Sequence, residues 1–198
     1  MGFEGFEHAS FDGDQLMELL AELDAELGAH TAGTGPYRVA IAGGAAMALR
    51  LSDRLTGDVD VVSEGMHPDV RRAAEAVASR HDLRPDWIND AAKLKTVSVD
   101  ADLEPVYVGA NFVVESVGAR YLLAMKLASA RVVDKADCVA LAAELRIQSL
   151  EELLDVVEAA LPNQRHRTVK MQYFAQEVID AAQPAPRRRP SRGSRARD

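Results

Sequence analysis

Leu16, Leu19, Leu20, Leu23 and Leu27 recur at helical spacing near the start of the chain, and this apolar stripe predicts a helix over about residues 11–27. Asp12 and Asp14 sit where carboxylates favour a helix N-terminus, and Gly28 predicts its end. After a loop at 31–36 the period changes: YRVAIA at 37–42 reads as a strand stopped by Gly43-Gly44. A short helix is expected over 45–51, a second strand over 58–62 (DVDVV), and a third helix over 68–81 with Pro68 in its first turn. Residues 87–92 look turn-like. The segment 94–117 alternates β-branched and polar residues and is expected to give two or three short strands, broken at Pro105 and Gly109.

From Gly118 the pattern is helical. Helices are expected over 119–131 and 134–145, separated by the β-branched pair Val132-Val133. Ser149-Leu150-Glu151-Glu152 has capping-box form and opens a helix that Pro162 ends near Leu161; another follows over 168–182. No internal repeat is present. The expected fold class is therefore α+β, an α/β core with its N-terminal helix (1–117) followed by a helical C-terminal portion (118–183). A tail at 184–198 has no apolar periodicity and is expected to be disordered.

Composition narrows the classes. Hydrophobic residues make up 47% of the chain, enough for a packed core, and no uncharged apolar run approaches the roughly 18 residues of a membrane span. The first residues, MGFEGFEH, lack the basic and apolar regions of a secretory signal, and Cys138 is the one cysteine, so neither a disulfide nor a cysteine-based zinc site is available within the chain. A cytoplasmic location is expected. Net charge is -8, but the tail carries six Arg and one Asp, which leaves -13 on the preceding 183 residues. An acidic body with 5% aromatic residues argues against a broad RNA-stacking surface. Any RNA contact would fall on local basic patches: the tail arginines, or Arg165, His166, Arg167 and Lys170. The other histidines, His8, His30, His67 and His81, have no metal-ligand spacing.

Two constellations carry candidate chemistry. In a strand, Asp58 and Asp60 would lie on one face about 7 Å apart, a disposition that repels unless a cation or water intervenes and that suits a divalent ion. Gly43-Gly44 lies between a strand and a helix, where backbone N–H groups can hold phosphate, and Arg54 and Thr56 precede the carboxylates as charge and hydroxyl donors. Each of these taken singly has a plainer reading as a solvated strand face, a turn glycine or a surface charge. The second set is Lys126, Arg131, Asp134 and Asp137. On one straight helix Lys126 and Asp137 would share a face about 16 Å apart; only a break at Val132-Val133 followed by a reversal would let them cooperate. Asp134 and Asp137 also fit the N-cap and N3 positions of the second helix.

Taken in order, Gly43-Gly44, Arg-x-Thr-x-Asp-x-Asp at 54–60, Trp-Ile-Asn-Asp at 87–90 and LLAMKLASARVVDKAD at 122–137 resemble the small MenT/AbiEii-type nucleotidyltransferase toxins, over roughly residues 37–182. The resemblance implies a polymerase-β-like minimal nucleotidyltransferase core with a helical C-terminal portion. It implies Mg²⁺ on Asp58 and Asp60, triphosphate over Gly43 and Gly44 with Arg54, Thr56, Arg131 and Asp134 around it, and Lys126 and Asp137 as further catalytic groups. Such toxins move nucleotides from a nucleoside triphosphate to the tRNA acceptor end, block aminoacylation, and are neutralised by a cognate antitoxin. In some relatives the antitoxin phosphorylates a Ser or Thr ahead of the carboxylates, the place Thr56 holds here. Where the family carries a hydroxyl after the glycines, this chain has Ala45. A non-catalytic nucleotide- or partner-binding protein on the same fold is the alternative expectation.

Overall fold

In the computed structural model, which describes residues 9–30, 35–51, 53–63, 65–90, 102–161 and 168–182, one central strand divides the interior. That strand is β1 (Tyr37–Ala42). Its alternation sends Val39 and Ile41 into one apolar cluster and Ala40 and Ala42 into another. Around it lie β2 (Val59–Val61), β3 (Ile88–Asn89), β4 (Leu103–Val108) and β5 (Phe112–Val117), in the order β3-β2-β1-β5-β4. β1 runs antiparallel to β2 and parallel to β5; β2 and β3 are parallel, and β4 and β5 antiparallel. The sheet is therefore mixed and the protein α+β.

The first cluster joins β1, β2 and β5 to α1 (Gly13–His30) and α3 (Pro68–His81), with Trp87 fully buried among them. The second joins α2 (Gly43–Ala48) to α4 (Ala119–Ser129), α5 (Lys135–Glu144), α6 (Leu150–Ala160) and α7 (Val169–Ala182). On this face the buried side chains of β1 are Ala40 and Ala42, small enough for the helical portion to pack close to the strand. Among the described residues no helix is long and apolar enough to cross a membrane.

Several local expectations change. Helix α1 runs past Gly28 to His30; a Cβ at Gly28 would lie 2.7 Å from Asn111 Nδ2, so that glycine serves a close approach rather than a stop. Phe11, expected inside the helix, precedes it and forms a two-bond bridge with Thr56. The turn-like stretch at 87–92 contains β3, whose pairing with β2 sets Asn89 beside Asp60. Pro105 does not break a strand: β4 lies at the sheet edge, where a missing N–H costs little, and the register slips between Pro105 and Tyr107. Ser149 caps α6 as its motif predicts, accepting from Glu152 N at 3.2 Å. The tail at 184–198, the basic residues 165–167 and His8 lie outside the described residues.

Candidate active site

Asp60 lies in β2 between two fully buried valines, so strand alternation turns its carboxylate away from the α1–α3 core. Its register partner is Ala42, which sets it against the turn from β1 into α2. The glycines of that turn are there for close approach. Gly43 has φ +69°, and a Cβ on it would stand 2.5 Å from Asp60 Oδ2; a Cβ on Gly44 would stand 2.5 Å from Thr56 Oγ1. Thr56 is itself 8% exposed. Its hydroxyl donates to the Asp58 carbonyl oxygen at 2.9 Å, and its backbone exchanges hydrogen bonds of 2.9 and 3.0 Å with Phe11. The Thr56 hydroxyl, the expected phosphorylation site, is therefore largely buried and already bonded within the chain. Nothing in the sequence signals Phe11, whose contribution is a backbone one. Ala45, after the two glycines, is fully buried against the α1–α3 core, so that position points into apolar packing.

The second half of the site comes from a chain reversal. Helix α4 ends at Ala130 in the left-handed region (φ 45°, ψ 48°), a 3-10 turn spans Val132–Asp134, and α5 runs back. The reversal brings Lys126 and Asp137 together, and the straight-helix arrangement does not occur. Lys126 Nζ donates to Asp134 Oδ1 and to Asp137 Oδ2, both at 2.8 Å, with the three residues 6%, 2% and 3% exposed. Arg131 Nε donates to Asp134 Oδ2 at 2.6 Å, and Arg54 Nη2 reaches Asp137 Oδ2 at 3.2 Å. The capping-box reading of Asp134 and Asp137 fails. Asp134 stands at the N-cap position of α5, but its side chain caps no backbone N–H because both oxygens are committed to cations.

The two halves are coupled electrostatically. Partial burial pushes the Asp60 carboxyl above the usual range, the neighbouring Asp58 charge pushes it further, and the Arg131 guanidinium opposes both. Arg131 is held above its ordinary value by its hydrogen bond to Asp134, with the charges of Asp134, Asp60 and Asp137 adding to it. Burial acts to raise Asp134, but hydrogen bonds from Arg131 and Lys126 outweigh it and hold that carboxyl below the ordinary value. The Cys138 thiol, buried beneath the cluster, is pushed up to about 12 and is no nucleophile near neutral pH.

All ten sequence-identified residues (Gly43, Gly44, Arg54, Thr56, Asp58, Asp60, Lys126, Arg131, Asp134 and Asp137) are tied to one another by these contacts and charge interactions. Trp-Ile-Asn-Asp at 87–90 has another task. Trp87 Nε1 donates to Ala74 O at 2.9 Å inside the core, and Asp90 accepts from Arg71 of α3 at 2.7 Å. The described histidines serve helix ends and ion pairs: His67 accepts from Asp69 N, and His30 and His81 pair with Glu26 and Glu22.

Among the described residues, no three His, Cys, Asp or Glu side chains gather as a cage for a metal ion. The pair Asp58 and Asp60 still fits Mg²⁺. Asp58 lies just before β2 rather than in it, but its charge still acts on Asp60, and two neighbouring carboxylates favour a bound cation; Mg²⁺ commonly takes one or two carboxylates and completes its shell with water and substrate oxygens. No family model matches the chain, and no match is found among curated proteins or solved structures.

Proposed function

We propose that this protein is a Mg²⁺-dependent nucleotidyltransferase that transfers nucleotides from a nucleoside triphosphate to the tRNA 3′ acceptor end, acting as the toxin of a toxin–antitoxin pair. The observation that carries this reading is the meeting of the carboxylate pair Asp58 and Asp60 with the Lys126–Asp134–Asp137 cluster through Arg131, a cation between two acidic groups. The motif order adds a polymerase-β-like minimal core as the fold-level reading, with the Gly43-Gly44 turn and the carboxylate strand side by side.

On this reading Asp58 and Asp60 hold Mg²⁺, which when bound lowers the pKa of the attacking hydroxyl and neutralises charge on the triphosphate. The protein's own groups do the rest. Lys126 spends two N–H groups on Asp134 and Asp137, leaving the third for a phosphate oxygen. Arg131, exposed along most of its side chain, keeps its terminal nitrogens for the triphosphate while Nε stays on Asp134. The 3′-hydroxyl of the RNA gives its proton to solvent water, its oxygen bonds to the α-phosphorus, the bond from that phosphorus to the bridging oxygen breaks, and pyrophosphate leaves with the electron pair. Both cations stabilise charge growing on the phosphates.

Incubation with labelled nucleoside triphosphates, Mg²⁺ and total tRNA tests the activity. Wild-type protein should label tRNA, and Asp58→Ala and Asp60→Ala should reduce labelling at least about a hundredfold; labelling untouched by either change would sink the proposal. A toxin role further predicts growth arrest on induction, relieved by a cognate antitoxin.

A further inference from the structure

Arg54 precedes the carboxylate strand and, by motif position, is expected to touch triphosphate directly. Its contacts point elsewhere. Nη2 donates at 3.2 Å to Asp137 Oδ2, the same oxygen that Lys126 Nζ reaches at 2.8 Å, while Nε is buried without a hydrogen-bond partner. The Arg54 side chain is 39% exposed against 4% for Asp137, so it closes the outer side of a buried carboxylate. The backbone fixes its place: Arg54 N donates to Leu51 O, and two residues on, Thr56 is clamped by Phe11 and packed against Gly44.

We propose that Arg54 is a positioning residue that acts through Asp137, clasping the first turn of α5 to the carboxylate strand and sharing the Asp137 charge so that Lys126 retains positive charge for phosphate. Two aspartates facing Lys126 alone would leave that group net negative, a poor seat for a triphosphate. Arg131 on Asp134 and Arg54 on Asp137 turn the balance to one net positive charge across five side chains. The clasp also joins segments 83 positions apart in the chain, holding the two halves of the site in one geometry. The part concerning phosphate rests on the nucleotidyltransferase reading; the part concerning α5 does not.

Hydrogen exchange and ligand binding on the full chain separate the two. In Arg54→Gln, amides of the first turn of α5 and the 131–134 turn should exchange about tenfold faster, while those of α1 and α3 stay unchanged; Arg54→Lys should restore most of the protection. Calorimetry with Mg²⁺ and inorganic tripolyphosphate should show about tenfold weaker binding for Arg54→Gln. In an Asp137→Asn background the same change should add less than about twofold, since the pathway through Asp137 is already gone. Unchanged exchange at α5 overturns the proposal whatever the ligand does, and full additivity with Asp137→Asn overturns it by showing that Arg54 meets phosphate itself. If wild-type protein binds no tripolyphosphate while Arg54→Gln still loosens α5, the nucleotide reading falls and the clasp stands.

Discussion

Lys126 is only 6% exposed, and two buried aspartates accept its hydrogen bonds there. Replacing it with Met leaves two carboxylates out of water, although Arg131 and Arg54 still reach them. The loss should therefore fall near the lower end for broken buried pairs, about 3 kcal/mol, read from urea unfolding at pH 7. Asp134 sets the pH dependence. Its folded carboxyl titrates below its unfolded one, so its stabilisation is complete above the ordinary carboxylate range and is lost as pH falls through the folded value. Stability should therefore drop below about pH 4, and Asp134→Asn should lower stability at pH 7 while flattening that acid limb. Asp60 behaves in the opposite sense. Its carboxylate is repelled by Asp58 and partly desolvated, so Asp60→Asn should raise the unfolding midpoint by about 2 °C without divalent ions and abolish any midpoint rise caused by Mg²⁺. A midpoint that falls in Asp60→Asn would contradict that account.

At the scale of elements, the α4–α5 reversal decides whether the second half of the site exists. Ala130 adopts the left-handed conformation while 4% exposed, a place where a β-branched side chain is both strained and crowded. Ala130→Val should cost about 2 kcal/mol or more and weaken the Lys126–Asp137 pair; a calorimetric midpoint equal to wild type would refute this. The chain gave partial notice: Val132-Val133 marked a break in helical pattern, but alanine carries no turn signal, so the reversal itself was not legible. Asp134 and Asp137 looked like a capping pair because N-cap and N3 spacing is common to caps and to clustered carboxylates. What separated the two was a lysine eight and eleven positions earlier, brought back by the turn. β3 was missed for a related reason. Two residues carry no measurable period, and Ile88-Asn89 becomes a strand only because β2 offers it a parallel partner.

For the molecule as a whole, β1 belongs to two cores at once, through Val39 and Ile41 on one face and Ala40 and Ala42 on the other. Neither core can open fully without exposing the strand that lines the other. Urea unfolding followed by the fluorescence of Trp87, the single tryptophan and fully buried on the α1–α3 side, should therefore coincide with loss of helical circular dichroism, to which helices on both sides contribute. Separated midpoints would show two independently folding halves. The sequence by itself determined the long amphipathic helices, the β1 and β5 strands, and the identity of the charged and glycine positions, because periodicity and short motifs are local properties. Only the tertiary structure decided that Gly43 and Gly44 are small to admit Asp60 and Thr56, that Arg54 spends its charge on Asp137, and that Lys126 sits between two aspartates. Those outcomes depend on which groups meet across long chain separations, and hydrogen bonding and desolvation act on that proximity rather than on sequence spacing.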